Sequence, residues 1–202
     1  MKLSLQKKYF YFSKNSEFDH FISKKYCLFV GRLSNYKGLD IIIKTAKELP
    51  DVLFVIAGSG ELGIYISRYL ASKNLTNVIF INRFISEDEK FYLIDNCYLL
   101  LFPSTSINEA FGIVQLEAMR SGKAIINTNL NNGVNYVAPN NDCAITINVG
   151  CVNSLTIAVT YLWDNNSICA MLGNNGRKRF TDNFTYEKFK KEYTSLFNKY
   201  LN

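Results

Sequence analysis

Six short, almost wholly apolar runs punctuate this chain, and their spacing constrains its fold more than any other feature. They are Cys27–Gly31 (CLFVG), Val52–Gly58 (VLFVIAG), Val78–Ile81 (VIFI), Tyr98–Phe102 (YLLLF), Ala124–Asn127 (AIIN) and Cys143–Ile147 (CAITI). Each is rich in β-branched or aromatic residues and lacks polar alternation, as a strand buried on both faces should. Helical spacing fills the intervals. In Gly38–Leu49, the apolar positions Leu39, Ile42, Ile43, Ala46 and Leu49 fall on one face. Ser86–Asn96 opens with a serine and three acids, and Ser86 with Glu89 forms an S-x-x-E capping box. Thr185–Leu201 reads as an amphipathic helix with Phe189, Tyr193, Leu196, Phe197 and Tyr200 along one side. Strands that alternate with helices predict a parallel sheet with right-handed crossovers, hence a doubly wound α/β domain of about six strands with helices on both faces.

Charge and composition remove several function classes. The 202 residues are 48% hydrophobic and 20% charged, enough apolar material for one packed domain. Residues 1–25 show no clean period and read as a lead-in, leaving 26–202 as the domain. The chain carries no stretch approaching a membrane span and no signal-peptide pattern, so a cytoplasmic location is expected. The formal net charge is +6. It is concentrated at the two ends, which suit peripheral contact with an anionic membrane face or partner. No nucleic-acid-binding motif accompanies it, so nucleic acid is not expected as a partner. The five cysteines form no C-x-x-C pair and read as buried thiols. His20 is the only histidine and no D-x-D occurs, so neither a histidine dyad nor the common carboxylate grip on a nucleotide-bound metal is available.

In a doubly wound sheet, ligands bind beyond the carboxyl ends of the strands. The first such loop is Gly31-Arg32-Leu33-Ser34-Asn35-Tyr36-Lys37-Gly38, where Arg32 and Lys37 add two cations to the amides of a helix start. That arrangement suits a diphosphate without a metal ion. The second loop contains Gly58-Ser59-Gly60-Glu61-Leu62-Gly63, a literal G-x-G-x-x-G. A dinucleotide reading lacks the acid about 20 residues downstream, although Arg83 could meet a 2′-phosphate. A tight turn explains the glycines equally well. The fourth loop runs from Pro103 through Glu109, Ala110, Phe111, Gly112 and Ile113 to Glu117. Its two carboxylates, eight residues apart, bracket a glycine able to open a helix. Carboxylates accept strong hydrogen bonds from sugar hydroxyls, and helix-start amides hold phosphate oxygens.

Gly31-Arg32-Leu33 with Lys37-Gly38, then Ala57-Gly58-Ser59-Gly60, then Pro103-Ser104, Glu109-Ala110-Phe111-Gly112, Glu117-Ala118-Met119 and Gly122 occur in fixed order. Together they resemble the retaining glycosyltransferases of family 4 (group 1) over roughly residues 27 to 200. That resemblance implies the GT-B architecture of two Rossmann-like domains, of which this chain matches the C-terminal, donor-binding one. It implies that Arg32 and Lys37 hold the donor diphosphate and that Glu117 binds the ribose hydroxyls. Glu109 would face the transferred sugar, with the backbone of Ala110, Phe111, Gly112 and Ile113 around sugar and phosphate. Gly31, Gly58 and Gly60 would shape the nucleotide cleft, and the backbone at Arg83 and Phe84 would meet the base. The implied reaction is metal-independent, moving a hexose from a nucleotide sugar, UDP ahead of GDP, to a glycan or lipid-linked acceptor. Asn82 stands where the family usually has glycine, and a Thr-Gly turn is missing near Asp142-Cys143.

The acceptor-binding N-terminal domain of that family has no counterpart in residues 1–25. The expectation is a domain, fragment or subunit that needs such a partner for transfer. Two rival readings remain: an NADP-binding domain using Gly58–Gly63 and Arg83, and a non-catalytic nucleotide-sugar-binding subunit.

Overall fold

The computed structural model describes residues 17–201 and their side chains through residue 199. The lead-in before residue 17 and the Tyr200 side chain lie outside the described residues. Along the chain the elements are β1 (Tyr26–Val30), α1 (Leu39–Glu48), β2 (Leu53–Gly58), α2 (Gly63–Lys73), β3 (Val78–Asn82), α3 (Glu87–Asn96) and β4 (Leu99–Phe102). They continue with α4 (Ile113–Arg120), β5 (Ala124–Thr128), α5 (Gly133–Val137), β6 (Ala144–Ile147), α6 (Val152–Asp164), α7 (Asn166–Asn183) and α8 (Tyr186–Leu201). The strands form one parallel sheet in the order β3-β2-β1-β4-β5-β6. All six expected strands are present, with ends shifted by a residue. The capping box of α3 is formed in both directions, since Glu89 N–H donates to Ser86 Oγ and Ser86 N–H donates to Glu89 Oε2.

The absence of polar alternation in the strands has a direct structural cause. On β1, Cys27 and Phe29 enter one hydrophobic layer while Tyr26, Leu28 and Val30 enter the other. The first layer is closed by α1, α2 and α6, the second by α3, α4 and α5. α7 serves both, giving Cys169 and Leu172 to one and Phe180 to the other. Cys27, Cys97, Cys143 and Cys169 are buried thiols, whereas Cys151 is partly exposed at the start of α6.

Three further features bear on the site and its surroundings. Phe18 and Phe21 are buried in the second layer, and the Phe21 ring meets Tyr26 edge-on at 5.6 Å. The hydrophobic core therefore extends past the boundary drawn at residue 25. A single turn of 3₁₀ helix (Asn35–Lys37) precedes α1, so Lys37 sits on a structured turn rather than on an open loop. The apolar side of α8 faces solvent, with Phe189, Tyr193 and Phe197 stacked in a row outside the core. No helix among the described residues is long and apolar enough to cross a membrane.

Candidate functional site

The strand order reverses between β1 and β4, because the chain builds outward from β1 to β3 and then returns to β1's other side. Loops leaving β1 and β4 must diverge there, and the gap is where such sheets receive ligands. Here the two loops are joined. Thr105 N–H donates to Tyr36 C=O at 2.7 Å. The Lys37 ammonium pairs with the Glu109 carboxylate, which also accepts from Ser104 Oγ at 3.3 Å. Lys37 and Glu109 are only 15% and 12% exposed, so this pair is shielded from solvent to a degree that surface pairs are not. Asn132, at the start of α5, donates to the Glu109 carbonyl at 2.8 Å and fixes the loop from the β5 side.

Beyond Glu109 the chain turns into α4 through Gly112, whose φ of +72° is left-handed. A side chain there would be strained, and its Cβ would approach the Phe102 ring to 2.6 Å. No side chain caps α4. Its first amides have no acceptor within the helix, so they present partial positive charge beside the Lys37–Glu109 pair.

Glu117 lies one turn into α4 and is 11% exposed. Its Oε1 pairs with Lys90 Nζ of α3 at 2.7 Å, and the same ammonium reaches Glu87 at 2.9 Å. Burial pushes the Glu117 carboxyl above its ordinary range, and Lys90 opposes that shift. The Lys90 ammonium is disfavoured by burial, but its two carboxylates outweigh this and hold it above its usual value. Lys90 is not among the sequence candidates. It is 27 residues from Glu117, and only the packing of α3 on α4 brings them together.

The remaining candidates divide. Arg32 borders the gap but is 75% exposed, with only a loose 3.7 Å approach to Glu61. Gly31 donates to Ala57 C=O at 3.0 Å, which continues the β1–β2 ladder past the strand end. Gly58 and Gly60 serve close backbone approach: a Cβ on either would overlap the carbonyl oxygen of Gly31 or Leu33. Leu33 and Ser59 hydrogen-bond backbone to backbone at 2.9 Å in the same contact. Gly58 and Gly60 of the G-x-G-x-x-G thus let two loops pack closely, whereas a Cβ on Gly63 would meet the Asn82 side chain. Ala110 and Phe111 lie on the β4 loop, with the Phe111 ring edge-on to Phe184 at 6.4 Å. Ile113 at the start of α4 exposes most of its side chain, as does Phe84, which follows β3 at the edge of the sheet.

Arg83 is committed elsewhere. Its guanidinium binds Glu89 at 2.7 Å, pairs with Glu17 and donates to Phe84 C=O at 2.8 Å. These carboxylates, Glu89 foremost, hold it well above its usual value, while Arg83 in turn pulls the Glu89 carboxyl down to about 2. A 2′-phosphate would have to displace both acids. Glu17, like Lys90, carries no spacing signal, and the capping-box spacing that marks Glu89 says nothing of its pairing with Arg83.

The chain matches the family model described as "Glycosyl transferases group 1" over residues 13–179. The O-antigen chain mannosyltransferase C of Escherichia coli is 29% identical over 180 residues, covering 89% of this chain and 48% of the relative. The D-rhamnosyltransferase WbpZ of Pseudomonas aeruginosa is 29% identical over 164 residues, covering 81% of this chain and 42% of the relative. Among solved structures, sucrose-phosphate synthase from Thermosynechococcus elongatus superimposes with a TM-score of 0.78 at 20% identity, covering 89% of this chain and 46% of that one. Anabaena HepE in complex with UDP gives 0.79 at 19% identity, covering 88% and 50%. These likenesses establish the fold as one half of a GT-B architecture. The chain spans about half the length of the curated relatives it matches. With that fold, and with a family match over most of its residues, the chain belongs to the group 1 glycosyltransferases.

Proposed function

We propose that this domain holds a nucleoside diphosphate sugar for retaining, metal-independent transfer of a hexose to a glycan or lipid-linked acceptor. The observation that carries the reading is a pair of shielded carboxylates, each neutralised by its own lysine, on either side of the uncapped start of α4. Such a site offers two anionic acceptors for sugar hydroxyls, with ammonium and amide donors for a diphosphate between them. In this reading Lys37, Arg32 and the amides of Phe111–Ile113 receive the diphosphate, Glu117 the ribose and Glu109 the transferred sugar. The anomeric C–O bond breaks with its electron pair on the departing diphosphate, where Lys37 and Arg32 offset the charge. The acceptor oxygen bonds to the same face of the sugar and its proton leaves on that diphosphate. The acceptor is held by a second domain, so this domain alone binds donor and transfers nothing. A lipid-linked acceptor would bring the protein to the inner membrane face, which the basic C-terminal segment suits.

UDP is the first nucleotide to test, because the fold neighbour HepE was solved in complex with UDP. Calorimetric titration of the chain with UDP, UDP-glucose, GDP-mannose and NADP decides the reading. Binding of a sugar nucleotide but not NADP is expected. Binding of NADP alone, or of none of these, overturns it.

A further inference from the structure

Lys90 lies on α3, outside every loop that borders the gap, yet it makes the one hydrogen bond that the Glu117 carboxylate receives among the described residues. Several observations show that the contact is built rather than incidental. Lys90 is 19% exposed, and its ammonium is shared between Glu117 and Glu87. It also lies 5.4 Å from the Phe91 ring, which the Arg120 guanidinium approaches to 4.1 Å. α3 is itself anchored by its capping box. The ammonium therefore reaches Glu117 from a packed helix, and it occupies Oε1 while Oε2 meets no donor among the described residues.

We infer that Lys90 is a positioning residue for the donor's ribose: it holds Glu117 ionised and turned so that Oε2 accepts from the sugar hydroxyls. The inference rests on the donor reading above and adds to it a residue that touches no ligand. The charged groups facing Glu117 are Lys90 and Glu87 from α3 and Arg120 from α4 itself. Burial and Glu87 both favour the neutral acid, and Lys90 is the strongest group opposing them. Without Lys90, Glu117 is a buried carboxyl with a like charge nearby, and such groups take up a proton well above the usual carboxylate range. A neutral acid loses the charge-assisted part of its hydrogen bonds to ribose.

The test is the pH dependence of sugar-nucleotide affinity, using whichever of UDP-glucose and GDP-mannose binds the wild-type chain. Neither has a phosphate that titrates between about pH 5 and 8, so a pH effect belongs to the protein. Lys90→Met should move the inflection in affinity upward by about one pH unit or more. The loss should be about tenfold on the acid side and should fade as pH rises, because a carboxyl that titrates about one pH unit higher is ionised about tenfold less in acid and equally once both are deprotonated. Lys90→Arg should restore the wild-type profile, and Lys90→Gln serves as a second variant should the methionine form fail to fold. A loss equal at all pH, no loss, or an arginine variant behaving like the methionine one overturns the positioning role. Glu117→Ala separates the donor reading from the positioning role. If it binds donor as tightly as wild type, the ribose assignment fails and this inference with it; if it binds weakly while Lys90→Met is silent, only the inference fails.

Discussion

Lys37–Glu109 and Lys90–Glu117 are both shielded lysine–glutamate pairs flanking the same helix start, yet they join different kinds of structure. The first ties two loops, one leaving β1 and one leaving β4, across the point where strand order reverses. The second ties two helices packed on the same face of the sheet. Loops change conformation at lower cost than packed helices do. In the proposed reading a diphosphate replaces the Glu109 carboxylate on Lys37, one anion for another, and releases Glu109 toward the sugar, while Lys90 keeps Glu117 in place on the packed helices.

That contrast can be broken most forcefully at Lys37. Lys37→Met removes the shielded cation assigned to the diphosphate and leaves the Glu109 carboxylate with only the neutral Ser104 Oγ as a side-chain donor among the described residues. A charge-assisted contact of this kind contributes about 1.5–3 kcal/mol, so UDP affinity by calorimetry should fall roughly tenfold to a hundredfold. Unchanged affinity would remove the diphosphate from this loop. Glu117→Ala comes next, with an expected loss of about tenfold for UDP and sugar nucleotide alike, since both carry ribose.

Glu109→Gln sharpens the comparison because its sign depends on the ligand. Sugar-nucleotide affinity should drop by about fivefold to tenfold, whereas UDP should bind unchanged or slightly tighter, its lysine no longer shared with a carboxylate. An equal loss for both ligands would mean that the two carboxylates do not divide their roles as proposed. Arg32→Ala should cost less, roughly twofold to fivefold, because the side chain is exposed and its charge is screened. The sequence treats Arg32 and Lys37 as equivalent cations; their burial does not.

The smallest expected effect on ligand is at Glu89, whose partner Arg83 is tied down outside the gap. Glu89→Gln should leave donor affinity unchanged and lower the melting temperature. The sign with pH follows from the depressed carboxyl. Glu89 sits at about 2 in the folded chain, below its ordinary range, so its stabilisation is present above that range and lost as pH falls toward 2. Thermal melts of wild type and variant should differ near neutrality and converge in acid. A constant difference across that window would show that the pair does not act through charge.

Much of the architecture was legible because it is encoded locally. Doubly buried strands need unbroken apolar runs, and all six runs became strands. The α3 start was legible for the same reason, as a capping box uses residues three apart. Site loops could be located, since strand ends are where ligands gather in such a sheet. What stayed hidden were partners distant in sequence. Nothing in spacing links Lys90 to Glu117, Lys37 to Glu109 or Arg83 to Glu17. The G-x-G-x-x-G misleads for a related reason: Gly58 and Gly60 answer to the backbone of a neighbouring loop and Gly63 to the Asn82 side chain.

By itself, the sequence determined a parallel sheet of six strands, the identity of the loops at its carboxyl edge and the residues with chemistry to offer there. Periodicity and turn chemistry act over a few residues, and a single chain displays them directly. Tertiary structure alone decided which charge neutralises which, which cation is shielded and which is left in solvent. It also placed Phe18 and Phe21 in the core and the α8 aromatics outside it. Those outcomes depend on burial and on distances between elements far apart in the chain, which arise only when helices and loops pack around the sheet.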